Sequence, residues 1–118
     1  MPFYARVNNA IARTNDALNR LYSYNTYNHP RSEPNARIRN DARQIVDPVY
    51  YDLEQAVREG RYENVSGSNA REALRAAELV RRATFDLSDR PSEGRPSNVP
   101  MAQRNLREAV DMLYRARW

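Results

Sequence analysis

The chain has 118 residues, no cysteine, and 19 basic against 15 acidic side chains for a net charge of +4. A chain of this length buries roughly two thirds of its unfolded surface, so residues 1–118 are expected to form one domain around one core. Lack of cysteine excludes a disulfide framework, a thiolate metal site and a cysteine nucleophile, and the opening MPFYARVNNAIART, with a charge at Arg6 and no apolar run, reads as neither signal peptide nor membrane span.

The first predicted helix covers residues 3–24. Phe3, Val7, Ile11, Leu18 and Leu21 recur on one face while Arg6, Asn9, Arg13, Asp16 and Arg20 line another. Pro2 suits the first helical position, where its missing N–H costs nothing. Ser23 to Glu33, rich in Asn and Tyr and closed by His29, Pro30 and Pro34, reads as a loop. A second helix opens near Pro34, capped by Ser32 or Glu33, and carries Ile38, Ala42, Ile45, Val49, Leu53, Ala56 and Val57. Pro48 removes the hydrogen bond to the Gln44 carbonyl and pushes Asp47 away from helical angles. The apolar stripe nevertheless keeps its phase across Pro48, which predicts a kink or tight break with both halves on one core. In the broken form Asp47 caps the second half. Gly60 closes the segment as a C-cap.

Asn69, followed three residues later by Glu72, has the spacing of a capping box and marks the start of the third helix. Its inner stripe is Ala73, Ala76, Ala77, Val80, Thr84 and Leu87, flanked by Leu74 and Phe85, and so many alanines imply close approach of a neighbouring helix. Ser88 to Asn98, with Pro91, Gly94 and Pro96, reads as a linker. The last helix starts at Val99 or Pro100 and presents Ala102, Leu106, Ala109, Val110, Leu113 and Trp118, whose ring closes the core against Leu113 and Val110, as its helical phase favours, or projects as an anchor. No segment alternates as a strand does. The expected fold class is all-α: a compact antiparallel bundle of about four helices, the second kinked or broken at Pro48. Acids one turn before arginines predict surface pairs Asp16–Arg20, Glu54–Arg58, Glu72–Arg75, Glu78 with Arg81 and Arg82, and Asp111–Arg115.

Catalytic signatures are missing from this pattern. His29 is the one histidine, the three glycines stand singly, and there is no Gly-Lys phosphate loop. No catalytic residue, metal ligand or cofactor is expected, and the chain reads as a non-enzyme in the cytoplasm. What stands out is LYSYNTYNHP over Leu21 to Pro30, where rings alternate with Ser, Asn and Thr. Tyrosine offers rigid amphipathic contact area, and Ser and Asn offer adaptable hydrogen bonds. The expected partner-binding residues are therefore Tyr22, Tyr24, Asn25, Tyr27, His29 and Arg31. Arg39 and Arg43, one turn apart and away from Ile38, Ala42 and Ile45, join them, as does Tyr51. The partner expected is a protein; the alternative is a nucleic acid, with Arg31, Arg37, Arg39 and Arg43 on phosphates and the rings stacking on bases.

All 19 basic residues are arginine, although the chain keeps 12 asparagines. Asparagine and lysine codons share their first two bases and their composition range, so base composition alone does not remove one and spare the other. Lysine differs in being the acceptor for acetylation, methylation and ubiquitination. Its absence resembles the lysine avoidance of certain bacterial effectors and toxin subunits, a likeness of composition that covers no motif. It implies a bacterial or viral protein acting on host machinery; the alternatives are a lineage-wide preference for arginine and deliberate replacement of lysine by arginine.

Overall fold

The computed structural model describes residues 2–25, 27, 32–89 and 96–117. Five helical segments follow one another: α1 (Phe3–Leu21), α2 (Glu33–Val46), α3 (Val49–Gly60), α4 (Gly67–Asp86) and α5 (Val99–Ala116). Among the described residues there is no strand. No helix of these residues is long and apolar enough to cross a membrane.

The helix ends show how the chain turns back on itself. Phe3 N–H donates to Glu63 Oε2 at 2.9 Å, so a carboxylate from the α3–α4 connection supplies the negative charge that the first turn of α1 lacks. At the other end Arg20 pairs with Asp41 of α2 at 2.8 Å, and the Leu21 carbonyl accepts from Gln103 of α5. The start of α1 therefore meets the connection after α3, and its end meets the middle of α2 and the first turns of α5. Asp86 of α4 meets Asn105 of α5 while Glu72 meets Arg115, which makes α4 and α5 antiparallel too. α2 and α3 both run opposite to α1, and α4 runs opposite to α5, as expected for an antiparallel bundle.

One core runs through the structure, from Phe3, Val7 and Leu21 on α1 to Leu106 and Leu113 on α5. Ile38, Ala42 and Val46 of α2 and Val49, Leu53 and Ala56 of α3 join the same core, so the break keeps both halves on α1. The break is tighter than proline chemistry alone suggests. Asp47 stays at φ −51°, ψ −44° and Pro48 at φ −76°, ψ −12°. Asp47 is not pushed out of the helical region, and α3 has no side-chain cap. Continuous packing of the apolar stripe on α1 outweighs the local preference. α4 and α5 share the most extensive helix contact, and Ala73, Ala76, Ala77 and Ala83 of α4 lie in one core with Ala102, Ala109 and Ala116 of α5. Small side chains at these positions let the two backbones approach.

Several local expectations shift. α1 ends at Leu21, three residues early, because Tyr22 to Tyr24 fold into a turn with Tyr24 N–H on the Leu21 carbonyl. α4 starts at Gly67 with Ser66 as its cap, its Oγ accepting from Asn69 N–H at 3.1 Å; Asn69 is the third helical residue and uses its side chain on the Tyr4 hydroxyl. Thr84 is half-buried and Ala83 takes the inner position. Leu74 and Phe85 are exposed. Gly60 is not a left-handed cap. It is the last residue of α3, and a Cβ there would sit 3.2 Å from Val65 Cγ2 and 3.5 Å from the Phe3 ring. The residue at positive φ is Asn64, at 57°. The Trp118 ring and residues 90–95 of the linker lie outside the described residues.

Of the surface pairs, Glu54–Arg58 and Glu78 with Arg81 and Arg82 form within their helices. Arg20 and Arg115 instead reach across to Asp41 and Glu72. Arg6 likewise crosses to Glu59 at 3.1 Å. Glu59 is held below the ordinary glutamate range by the Gln55 amide and by the Arg6 guanidinium, and Glu78 by its hydrogen bond from Arg81. A carboxylate whose folded pKa is depressed adds stability above its unfolded pKa and loses it as pH falls through the folded one. Urea midpoints are therefore expected to hold steady above the ordinary glutamate range and to decline as pH descends through it. Glu59→Gln and Glu78→Gln should each flatten that decline; an unchanged acid limb in both variants would show that the contacts do not matter.

Candidate functional site

The distinctive tyrosines sit where α1 turns toward α2, and buried polar groups hold that turn in place. Asn35, only 1% exposed, occupies the inner face of α2 beside Ile38 and Ala42. Its Oδ1 accepts from Asn25 N–H at 3.2 Å and its Nδ2 donates to the Asn25 carbonyl at 2.7 Å. One side chain thus satisfies both backbone groups of Asn25, as a neighbouring strand would. Asn25 Oδ1 in turn accepts from Tyr27 N–H at 2.9 Å, the side-chain turn typical of asparagine.

Tyr24 folds inward and packs against the core. Burial pushes its hydroxyl above the ordinary tyrosine value, partly opposed by the nearby Arg39 guanidinium. Tyr22 and Tyr27 point the other way, 88% and 98% exposed. The backbone of the turn is thus anchored while both rings stand in solvent. Asn25 is exposed beside them.

The remaining expected residues divide. His29 and Arg31 lie outside the described residues. Arg39 does not stand on the outer side of α2; it is 5% exposed, with Nη1 donating to Ser97 Oγ at 3.0 Å. Helical phase explains the difference, since residue 39 lies about 60° from residue 42 around the axis, on the same flank of the core. Arg43 is half-buried. Tyr51 is 70% exposed but belongs to α3, where it meets Tyr50 edge to face at 5.2 Å. Arg81 of α4 lies 6.0 Å from the Tyr50 ring, so this second aromatic group faces α4 rather than the turn. The structure brings Tyr22, Tyr24, Asn25 and Tyr27 together and leaves Tyr51 apart.

Asn35 and Ser97 were not among the expected residues. Asn35 carried a readable signal, being polar at a position in register with Ile38 and Ala42. Ser97 carried none, because its meeting with Arg39 spans 58 positions. A groove of about 460 Å³ between α4 and α5, lined by Arg81, Arg82, Phe85, Asp86, Met101 and Asn105, is likewise new. Among the described residues no group of three or more His, Cys, Asp or Glu side chains could hold a metal ion. No protein-family model, no curated protein and no solved structure matches the chain.

Proposed function

We propose that this protein is an interaction module that docks a protein partner on the tyrosine turn, with Tyr22 and Tyr27 as anchors. The observation that carries this reading is the locking of Asn25 by buried Asn35 while both rings remain in solvent. A monomeric domain gains nothing from holding two large rings in water on a fixed backbone, whereas an interface gains rigid aromatic anchors. Nucleic-acid binding is less well supported, because Arg37 pairs with Glu33 at 2.9 Å and Arg39 is buried. The test is affinity capture on the immobilised chain. The Tyr22→Ala/Tyr27→Ala variant should lose the retained partner, at a cost above tenfold in affinity, with a melting temperature within about 1 °C of the parent. Capture of the same protein by the variant would remove the turn from the interface.

The same module is proposed to act where lysine modification is harmful, as a bacterial or viral protein inside a ubiquitin-using host. Supporting this, Arg71, Arg75, Arg104 and Arg107 are exposed and make no ion pair among the described residues. Nothing in their surroundings requires a guanidinium. Arg71→Lys, Arg75→Lys and Arg107→Lys together should leave stability unchanged and shorten the half-life in a ubiquitin-competent cell lysate. Equal half-lives would reject host exposure as the reason for the missing lysines.

A further inference from the structure

The groove of about 460 Å³ on α4 and α5 brings together charged and apolar side chains that the fold itself does not use up. Its size falls within the roughly 300–1,000 Å³ common for small-molecule sites. Phe85 of α4 and Met101 of α5, both on its wall, are 51% and 40% exposed and so add apolar surface outside the core. The two cations beside them differ. Arg81 is committed, with Nε and Nη2 both donating to Glu78 and the guanidinium set over the Tyr50 ring. Arg82 has only a 3.9 Å approach of its Nε to the same carboxylate, too long for a hydrogen bond. It makes no hydrogen bond among the described residues.

Asp86 lies one turn further along α4, yet it does not pair with Arg82. Helical side chains lean toward the N-terminus, which carries the Arg82 guanidinium toward Glu78 and away from Asp86. Base before acid is also the weaker order for a pair four residues apart. Asp86 instead accepts a long contact from Asn105 Nδ2 of α5 at 3.5 Å, and Asn105 Oδ1 accepts no hydrogen bond among the described residues. The groove therefore offers guanidinium donors at one position and acceptor oxygens about one helical turn, roughly 6 Å, away. Phe85, three residues from Arg82 and next to Asp86, and Met101 supply apolar wall to the same groove. A simple anion would face the Asp86 carboxylate, and a simple cation would face Arg81 and Arg82. A ligand carrying both charges meets neither obstacle.

We propose that this groove binds a free α-amino acid with a large apolar side chain. Arg82 takes the carboxylate, for which the guanidinium fork is suited. The ammonium group donates to Asn105 Oδ1 and to Asp86, whose carboxylate has lone pairs beyond the one that Asn105 uses. The apolar side chain covers Phe85 and Met101, and the pliable thioether accommodates an aromatic ring as readily as an aliphatic chain. In an α-amino acid one carbon separates the two charged groups, so with a hydrogen bond at each end the ligand spans the turn between residues 82 and 86. The groove shares no described residue with the tyrosine turn, and neither reading depends on the other.

The full chain is titrated with L-phenylalanine, with phenylalaninamide, with 3-phenylpropionate and with glycine at matched ionic strength, and its backbone amides are followed by NMR. The expected result is saturable movement of the amides of residues 82–86 and 101–105 with L-phenylalanine. Phenylalaninamide, which lacks the carboxylate, and 3-phenylpropionate, which lacks the ammonium group, should each bind at least tenfold more weakly, and glycine should cause no movement. Arg82→Gln should weaken L-phenylalanine at least tenfold while leaving the melting temperature within about 1 °C of the parent, because the side chain is exposed and makes no hydrogen bond. Phe85→Ala should weaken it at least fivefold. No saturable movement up to the solubility of L-phenylalanine, an equal response to 3-phenylpropionate or to the amide, or undiminished binding by Arg82→Gln overturns the proposal.

Discussion

Replacing Phe3 with alanine is expected to destabilise the protein by about 3–5 kcal/mol, lowering the melting temperature by on the order of 15 °C. The ring is fully buried although it belongs to the first residue of α1. It lies against the bare face of Gly60, where a Cβ would come within 3.5 Å of it, and meets Tyr4 edge to face at 5.1 Å. Its own N–H is held by Glu63, so the backbone cannot easily collapse into the space the ring leaves. A cavity that cannot relax is the expensive kind. Tyr4→Ala is the control: that ring is partly exposed and its hydroxyl accepts one hydrogen bond from Asn69, so its loss should be clearly smaller. Equal losses from denaturant melts of the two variants would show that the α1–α3 junction does not depend on Phe3.

Arg39→Met is expected to act in the opposite direction, raising stability by about 1–4 kcal/mol. Methionine keeps most of the buried stem while removing a charge that meets one serine hydroxyl and no carboxylate among the described residues. Lost with it is the hydrogen bond to Ser97, whose hydroxyl can rotate toward water. Arg39→Ala separates the two contributions, since it removes both charge and stem and should fall below Arg39→Met. If Arg39→Met proves less stable than the parent in urea melts, the Ser97 contact outweighs the burial of the charge. A gain would mean that the chain keeps Arg39 against its own stability, as sites with a function often do.

The outline of the bundle was legible because helical periodicity is a local property. The spacing of Phe3, Val7 and Ile11, of Ile38 and Ala42, and of Leu106, Ala109 and Leu113 reports a buried face whatever it packs on. Pro48 marked the break because it has no N–H to donate. Capping was less legible: Ser66 and Asn69 both have cap chemistry, and the choice of Ser66 left the Asn69 amide for Tyr4, 65 positions away. Gly60 looked like a chain-reversing glycine. Its reason is the approach of Phe3 and Val65, which no spacing within α3 reveals.

The candidate site divides in the same way. Composition alone singled out the rings of Tyr22, Tyr24 and Tyr27 and the polar residues between them as the proposed contact surface. That Tyr24 turns inward while its neighbours stay in water depends on Asn35 reaching the Asn25 backbone across the turn. By itself the sequence determined the class of fold, the helices and their inward faces, and a chain without lysine or catalytic signature. Only the tertiary structure decided which helix ends meet, that Arg20 and Arg115 pair across helices, and that Arg39 is buried. The physical reason is range: propensity and periodicity act within a few residues, whereas pairing and burial depend on groups that chain folding alone brings together.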